Sequence, residues 1–442
     1  MATMETMRTA KKVVEKDSVE FLYHEATPSK EKEQARDRLL AHPDLRLLYV
    51  SNQDSKIKIV RPAVDVDHRR NIKRMGGFFA LSHLWGNVED HPYWDLGDVV
   101  KETEENLPAD PIPMRPEKRG VLLALLKAYP GYWWVDVLCA RVTTPLVIMR
   151  FIYAYCTTCF AMIDCSPTII ESLCDHHLMP ISKQLYHHAQ QLIDGTLDNA
   201  QFKDLINASE DDQGKMIDYA ICRRRMQNML EFLGCRWFDR VWTMQEMTLP
   251  ARLVILSETC DPSKVALSTS HVNLNSVVQF GHLLKSIYTT MDNDDLANRL
   301  INEIYEKTKM IATSDTIHHL SMPRDPEARA VECMQILSTF KQSTRRCTDQ
   351  RDYIYGVLGL LGLHIPRIDD PIALWRLFLF EIQIMFSWTQ HPPHSLLYHA
   401  NPSFNLDTAS NLGDVYTALF GSNTLETLIL QKMRSLEESF DE

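Results

Sequence analysis

Four short apolar runs recur along the first part of the chain, with amphipathic stretches between them. Phe78 to Ser82, Trp133 to Cys139, Thr158 to Ile163 and Arg252 to Leu256 are nearly unbroken; the second is interrupted only by Asp136. Runs of this length and purity are the pattern of strands buried on both faces. Pro116 to Tyr129 reads as a helix, with Pro near its start, leucines through it and Pro130-Gly131 as its stop. Thr144-Pro145 caps a second helix running to about Tyr155. Ile217, Ile221, Met229 and Leu233 share one side of a third, which Gly234 ends. Arg236 to Leu249 continues as a fourth. Strands and helices taking turns imply a mostly parallel sheet with helices on both faces, an α/β fold.

The flanks differ. Residues 1 to 42 are charged and helical in pattern, with a break at Pro28-Ser29, and two β-like runs follow at Leu45 to Val50 and Ile57 to Val60. The stretch from 166 to 215 is less regular. Beyond Cys260, residues 270 to 345 are polar and helical, and 351 to 388 hold apolar helical clusters, including Leu374 to Trp388. The chain therefore divides into a helical N-terminal extension (1–44), an α/β domain (45–260) and a mainly helical C-terminal region with an acidic tail (261–442).

Composition narrows the class. With 45% hydrophobic and 24% charged residues the chain is neither disordered nor collagen-like nor a coiled-coil rod. A net charge of −11 gives no bulk attraction for nucleic acid, and the longest basic run, Arg223-Arg224-Arg225, reads as a solvated helix face. Ten cysteines in 442 residues are too sparse for a disulfide scaffold. Met1 to Asp17 has no apolar core and reads as neither a secretory signal nor a transit peptide. Reduced thiols and a cytoplasmic location are the expectation. Pro145 to Ile163 is almost wholly apolar, but Arg150 and the Thr157-Thr158 pair divide it, so a buried helix and strand are expected and no membrane span.

Candidate chemistry is scattered. Cys156, Cys159, Cys165, Cys174, His176 and His177 offer soft ligands of the kind zinc takes. The first two bridge a helix end and a buried strand, which suits core thiols, so no metal is expected. Gly356-x-x-Gly359-x-x-Gly362 lacks the Gly-Lys-Ser/Thr ending of a phosphate loop and reads as helix packing. Ser82 lies in no G-x-S-x-G motif.

Four segments, in order, resemble the heterokaryon incompatibility (HET) domain family, which is mainly fungal. They are Ala80-Leu81-Ser82-His83-Leu84-Trp85-Gly86, similar to A-L-S-Y-x-W-G; Trp134-Val135-Asp136-Val137-Leu138-Cys139, similar to W-I-D-A-L-C; Arg236-Trp237-Phe238-Asp239-Arg240-Val241-Trp242-Thr243-Met244-Gln245-Glu246, close to R-x-W-F-x-R-V-W-T-x-Q-E; and Arg351-Asp352-Tyr353-Ile354-Tyr355-Gly356-Val357-Leu358-Gly359-Leu360, like R-D-x-I-Y-A-L-L-G-L. Two departures stand out. His83 replaces the family's Tyr, and Ala140 to Pro145 replace its I-N-Q and acidic loop after Leu-Cys.

HET domains are in turn similar to Toll/interleukin-receptor (TIR) domains, which have a flavodoxin-like fold and some of which cleave NAD. The resemblance thus implies a TIR-like sheet over 45–260 and a role in fungal non-self recognition and programmed cell death. It also implies hydrolysis of NAD as a substrate, not as a resident cofactor. Glu246 is then the catalytic carboxylate, with Ser82, His83, Trp85, Asp136 and Trp242 around the dinucleotide. Trp242 and Glu246, four apart, share a helix face, and an indole wall would raise a carboxyl pKa. TIR-like sites work after assembly, so a homo-oligomer or another HET or regulatory protein is the implied partner. Against this stand plainer readings. Glu246 pairs with Arg236 or Arg240, Asp136 caps a loop, His83 is a loop residue, and the chain is an inactive adaptor that lost its acidic loop.

Overall fold

The computed structural model describes residues 30–52, 57–85, 93–102, 109–141, 144–193, 219–265, 272–289, 296–312, 349–387 and 411–420, with isolated positions between 333 and 347. In chain order the elements up to the third apolar run are α1 (Lys30–Leu40), β1 (Leu47–Val50), β2 (Ile57–Val60), α2 (Val66–Arg74), β3 (Phe79–His83), β4 (Tyr93–Trp94), β5 (Val100–Glu102), β6 (Ile112–Pro113), α3 (Pro116–Ala128), β7 (Gly131–Val135), α4 (Asp136–Cys139), α5 (Val147–Tyr155) and β8 (Thr158–Ile163). After them come α6 (Pro167–Ser172), α7 (Asp175–Ile193), α8 (Tyr219–Leu233), α9 (Thr243–Thr248), β9 (Leu253–Ser257), α10 (Leu274–Thr289), α11 (Leu296–Ala312), α12 (Asp352–Leu361), α13 (Pro371–Ser387) and α14 (Leu412–Phe420).

Seven strands form one sheet in the order β5-β2-β1-β7-β3-β8-β9. The four on the right, β7-β3-β8-β9, are all parallel. In chain order they lie second, first, third, fourth, the winding of flavodoxin-like sheets. On the other side β1 pairs antiparallel with both β7 and β2, and β2 pairs parallel with β5. Each parallel strand needs a crossover, and the helices expected between the apolar runs supply them.

Strand β8 shows why these runs are apolar throughout. Phe160 and Met162 enter the core on one face of the sheet, and Ala161 and Ile163 enter the core on the other. Successive side chains on a strand point to opposite faces, so a sheet covered twice tolerates no polar alternation. The first of these cores is closed by α3, α5 and the β1–β2 hairpin; the second includes α8, α9 and the C-terminal helices down to Leu419. At the start of β3, Gly76 and Gly77 take φ of 85° and 141°. A Cβ on Gly77 would sit 2.7 Å from Thr157 Cγ2. The chain therefore crosses Thr157 closely, and Thr157 N donates to Phe78 O at 2.8 Å to start the β3–β8 pairing.

The structure differs from the pattern reading in three places. The run Trp133 to Cys139 is not one strand: β7 ends at Val135 and the chain turns at Asp136 into the single-turn α4. The Asp136 carboxylate supplies the reason, accepting from Val137 N at 2.7 Å and so holding the turn. Arg236 to Leu249 is helical only at Thr243–Thr248, because Asp164 at the end of β8 takes the backbone N–H groups of Arg236 and Trp237, each at 3.3 Å. The stretch expected to be irregular contains α6 and α7, with Pro180 inside α7; the remainder of it, 194–215, lies outside the described residues. Most of the N-terminal extension and the acidic tail also lie outside them. No helix among the described residues is long and apolar enough to cross a membrane.

Candidate active site

The carboxyl ends of the parallel strands gather polar side chains: Ser82 and His83 on β3, Asp136 after β7, Asp164 after β8 and Glu258 after β9. This is the edge at which open α/β sheets bind ligands. Ser82 and His83 are adjacent on a strand and so face opposite sides of the sheet. Each organises its own buried cluster.

On one side Ser82 Oγ donates to Glu246 Oε2 and accepts from the indole N–H of Trp237 at 2.7 Å. All three residues are buried. The segment that delivers Glu246 is pinned at several points. Asp164 holds Arg236 and Trp237, Thr243 Oγ1 donates to the carbonyls of Trp237 and Arg240 at 2.8 and 2.7 Å, and the Arg240 guanidinium donates to His83 O at 2.9 Å. The Tyr153 hydroxyl, also buried, faces the Glu246 carboxyl without closing a hydrogen bond of ordinary geometry. Burial pushes the Glu246 pKa up to about 7, helped by the charge of Asp136 and opposed by Arg240 and the Ser82 hydroxyl.

On the other side Asp136 is surrounded by donors. Its Oδ1 lies 2.9 Å from His83 Nε2, and its Oδ2 accepts from the Trp85 indole at 2.6 Å. Burial would raise this carboxyl, but the His83 ring and the Trp85 N–H outweigh it and hold Asp136 below the usual aspartate value. Behind His83, Lys118 is completely buried on α3. Its ammonium donates to Leu84 O and lies 3.4 Å from His83 Nδ1 and 3.5 Å from Glu258 Oε2. Arg115 pairs with the same Glu258 at 2.5 Å. Burial lowers the Lys118 pKa to about 8 against the pull of Glu258.

The expected site residues therefore fall into three groups. Ser82 and Glu246 are bonded to each other. His83, Asp136 and Trp85 form one network on the opposite face of β3. Trp242 turns instead to the C-terminal region, where its indole faces the Asp352 carboxyl at the start of α12 and favours the charged form. The indole that touches the Ser82–Glu246 pair is Trp237. Helix α12 packs directly on α9: Gln245 Nε2 donates to Gly356 O at 2.7 Å, and a Cβ on Gly356 would lie 2.6 Å from Val241 Cγ1. The glycines of the fourth motif thus admit the helix beside Glu246. Buried Arg345 joins the same contact, donating to Arg240 O at 2.7 Å and to Thr243 Oγ1 at 2.9 Å.

Several participants were not read as such from sequence. Tyr153 sits in an apolar helix and Lys118 in a charged first turn, Glu117-Lys118-Arg119, that reads as solvated, with nothing in their neighbours to mark them. Glu258 and Asp164 each follow a predicted strand directly, a position from which the strand-end rule would have found them. The cysteines scatter into cores: Cys156 Sγ donates to Tyr153 O at 3.2 Å and Cys174 Sγ to Ile170 O at 3.4 Å. Among the described residues no three His, Cys, Asp or Glu side chains gather as a metal site.

No curated protein and no solved structure matches the chain. The family model of the Heterokaryon incompatibility protein (HET) matches residues 78–246, from the entry to β3 as far as Glu246 itself. That span contains the whole Ser82–Glu246 cluster and the His83–Asp136–Trp85 network. Over residues 78–246 the chain is thus similar to the heterokaryon incompatibility (HET) family.

Proposed function

We propose that this chain acts in fungal non-self recognition leading to programmed cell death, and that its chemistry is hydrolysis of NAD in a TIR-like manner. The observation that carries this reading is the Ser82–Glu246 pair. A carboxyl set at the carboxyl edge of a parallel sheet, bonded by a strand-end serine and raised to about 7, is poised between its two protonation states near neutral pH. In the reaction the bond between ribose C1′ and the pyridinium nitrogen breaks, and its electron pair leaves with nicotinamide. The positive charge left on the ribose resembles that of glycoside hydrolysis and is stabilised by an adjacent carboxylate. Water adds at C1′ and gives up its proton, leaving ADP-ribose. Glu246 serves as that carboxylate, and Arg240 together with Ser82 fixes its orientation.

A second reading has its own observation. Glu246 is only 4% exposed, so the isolated chain encloses the carboxyl that would have to meet substrate. An adaptor that keeps Glu246 for packing would look the same. Following NAD loss with concentrated protein, with and without forced clustering, for wild type and Glu246→Gln separates the two. Turnover in wild type that vanishes in the variant supports hydrolysis. No turnover under clustering favours the adaptor, and turnover that survives in Glu246→Gln removes Glu246 from the chemistry.

A further inference from the structure

Trp85 is out of character with its surroundings. Its neighbours Ser82, His83, Leu84 and Asp136 are buried, whereas Trp85 is 48% exposed. Exposed tryptophans usually swing, but this ring is held. Its N–H donates to Asp136 Oδ2 at 2.6 Å, and the other oxygen of that carboxylate is engaged by Val137 N at 2.7 Å and by His83 Nε2 at 2.9 Å. The polar edge of the indole is therefore spent inward. Among the described residues no aromatic ring and no cation packs over the Trp85 face, although Trp94 carries Arg119 over its own. A carboxylate bonded to the N–H also enriches the ring in electrons, and an electron-rich indole is the best side-chain partner for a cation.

We propose that Trp85 is a platform for a flat organic cation, the pyridinium end of oxidised NAD. This rests on the NAD-cleavage reading and adds to it which end of the substrate Trp85 meets. Trp85 lies three positions after Ser82, whose hydroxyl holds Glu246, at the carboxyl end of β3; open α/β sheets bind ligands along that edge, where a dinucleotide lying across the strand end meets both of its faces. The platform discriminates by charge: reduced NADH carries a neutral ring and lacks the attraction. When the C–N bond breaks, the electron pair neutralises the ring and the attraction ends. The contact therefore belongs to the bound substrate and not to the transition state. Trp85→Ala should raise KM and kcat together, leaving kcat/KM little changed.

The test uses two probes that differ in charge but hardly in shape, the N-methylnicotinamide cation and neutral nicotinamide, titrated calorimetrically into the full chain. Wild type should bind the cation about tenfold more tightly than the neutral ring. Trp85→Ala should lose that preference, and Trp85→Phe, which keeps a ring face without the N–H, should keep part of it. Equal affinities in wild type, binding of neither probe, or a preference that survives in Trp85→Ala would each overturn the platform. If Trp85→Ala does not fold, the wild-type comparison together with Trp85→Phe still decides. NAD loss is followed separately: cleavage without a charge preference removes the platform alone, and a charge preference without cleavage removes the cleavage reading alone.

Discussion

Two neighbouring residues of β3 govern two buried carboxyls that are pushed in opposite directions. Asp136, facing His83, is held below its ordinary value; Glu246, facing Ser82, is raised to about 7. Both are buried, so desolvation alone does not separate them. The difference lies in the donors. Asp136 has an imidazole, an indole N–H and a backbone N–H aimed at its oxygens. Glu246 accepts one hydrogen bond, from the Ser82 hydroxyl, with the Tyr153 hydroxyl facing it and Arg240 acting on it without a direct bond. A well-solvated carboxylate organises structure, whereas a poorly solvated one keeps a proton within reach, and enzymes assign roles to paired carboxyls in just this way.

The contrast breaks first at Asp136. Asp136→Ala strips the partner from His83 and Trp85 inside a closed cluster and should cost about 3–5 kcal/mol, read by urea unfolding. A loss below about 1 kcal/mol would mean that Asp136 organises nothing. Glu246→Gln should leave the fold intact and lower NAD turnover at least about 100-fold, the scale at which a single transition-state charge contact acts. If turnover and stability change the other way round, the roles of the two carboxyls are exchanged.

Acid and base then sharpen it. Glu246 has its folded pKa above its ordinary 4.5, so its contribution to stability is complete below 4.5 and is lost as pH rises through about 7. The interval corresponds to roughly 3 kcal/mol. Asp136, with its folded value lowered, contributes stability above its ordinary 3.8 and loses it as pH falls further. Wild type should therefore unfold more easily at pH 8 than at pH 5.5, and Glu246→Gln should flatten that slope while leaving the acid limb unchanged. A slope that persists in Glu246→Gln assigns the titration to another group.

The sheet was legible because both faces are covered: four apolar runs came out as four parallel strands, with limits shifted by one or two residues except where Asp136 turned β7 into α4. The site was legible only in part, and for a physical reason. Motif spacing shows which residues share an element, so Trp242 and Glu246 were expected to share a pocket. It does not show which neighbour packs on each, and α12 from more than 100 residues downstream draws the Trp242 indole to Asp352. Lys118 and Tyr153 were invisible because a lysine or tyrosine on a helix carries no local sign that a strand end waits above it.

That long-range contact gives a smaller test. A Cβ at Gly359 would run into the Gln245 side-chain oxygen and come within 2.9 Å of Arg150 Cβ. Gly359→Ala should cost about 1–3 kcal/mol through overpacking, and displaced Gln245 should loosen the helix that carries Glu246. Tolerance of alanine there would show that α12 yields easily and does not fix the Glu246 side of the comparison.

The finest adjustment is Ser82→Ala. The hydroxyl donates to Glu246 and accepts from Trp237 Nε1, so its removal leaves an indole N–H buried without that acceptor, at a cost of about 1 kcal/mol. It also removes the donor that favours the ionised carboxyl, so the Glu246 pKa must move further above 7. The pH profile of NAD loss should shift to the alkaline side: activity falls a fewfold at pH 7, on the order of one hydrogen bond, and recovers at higher pH. Asp136 lies on the opposite face of β3, so the acid limb of the stability curve should not move. An unchanged activity profile would mean that Ser82 does not tune Glu246, and the two faces of β3 would then differ in packing alone.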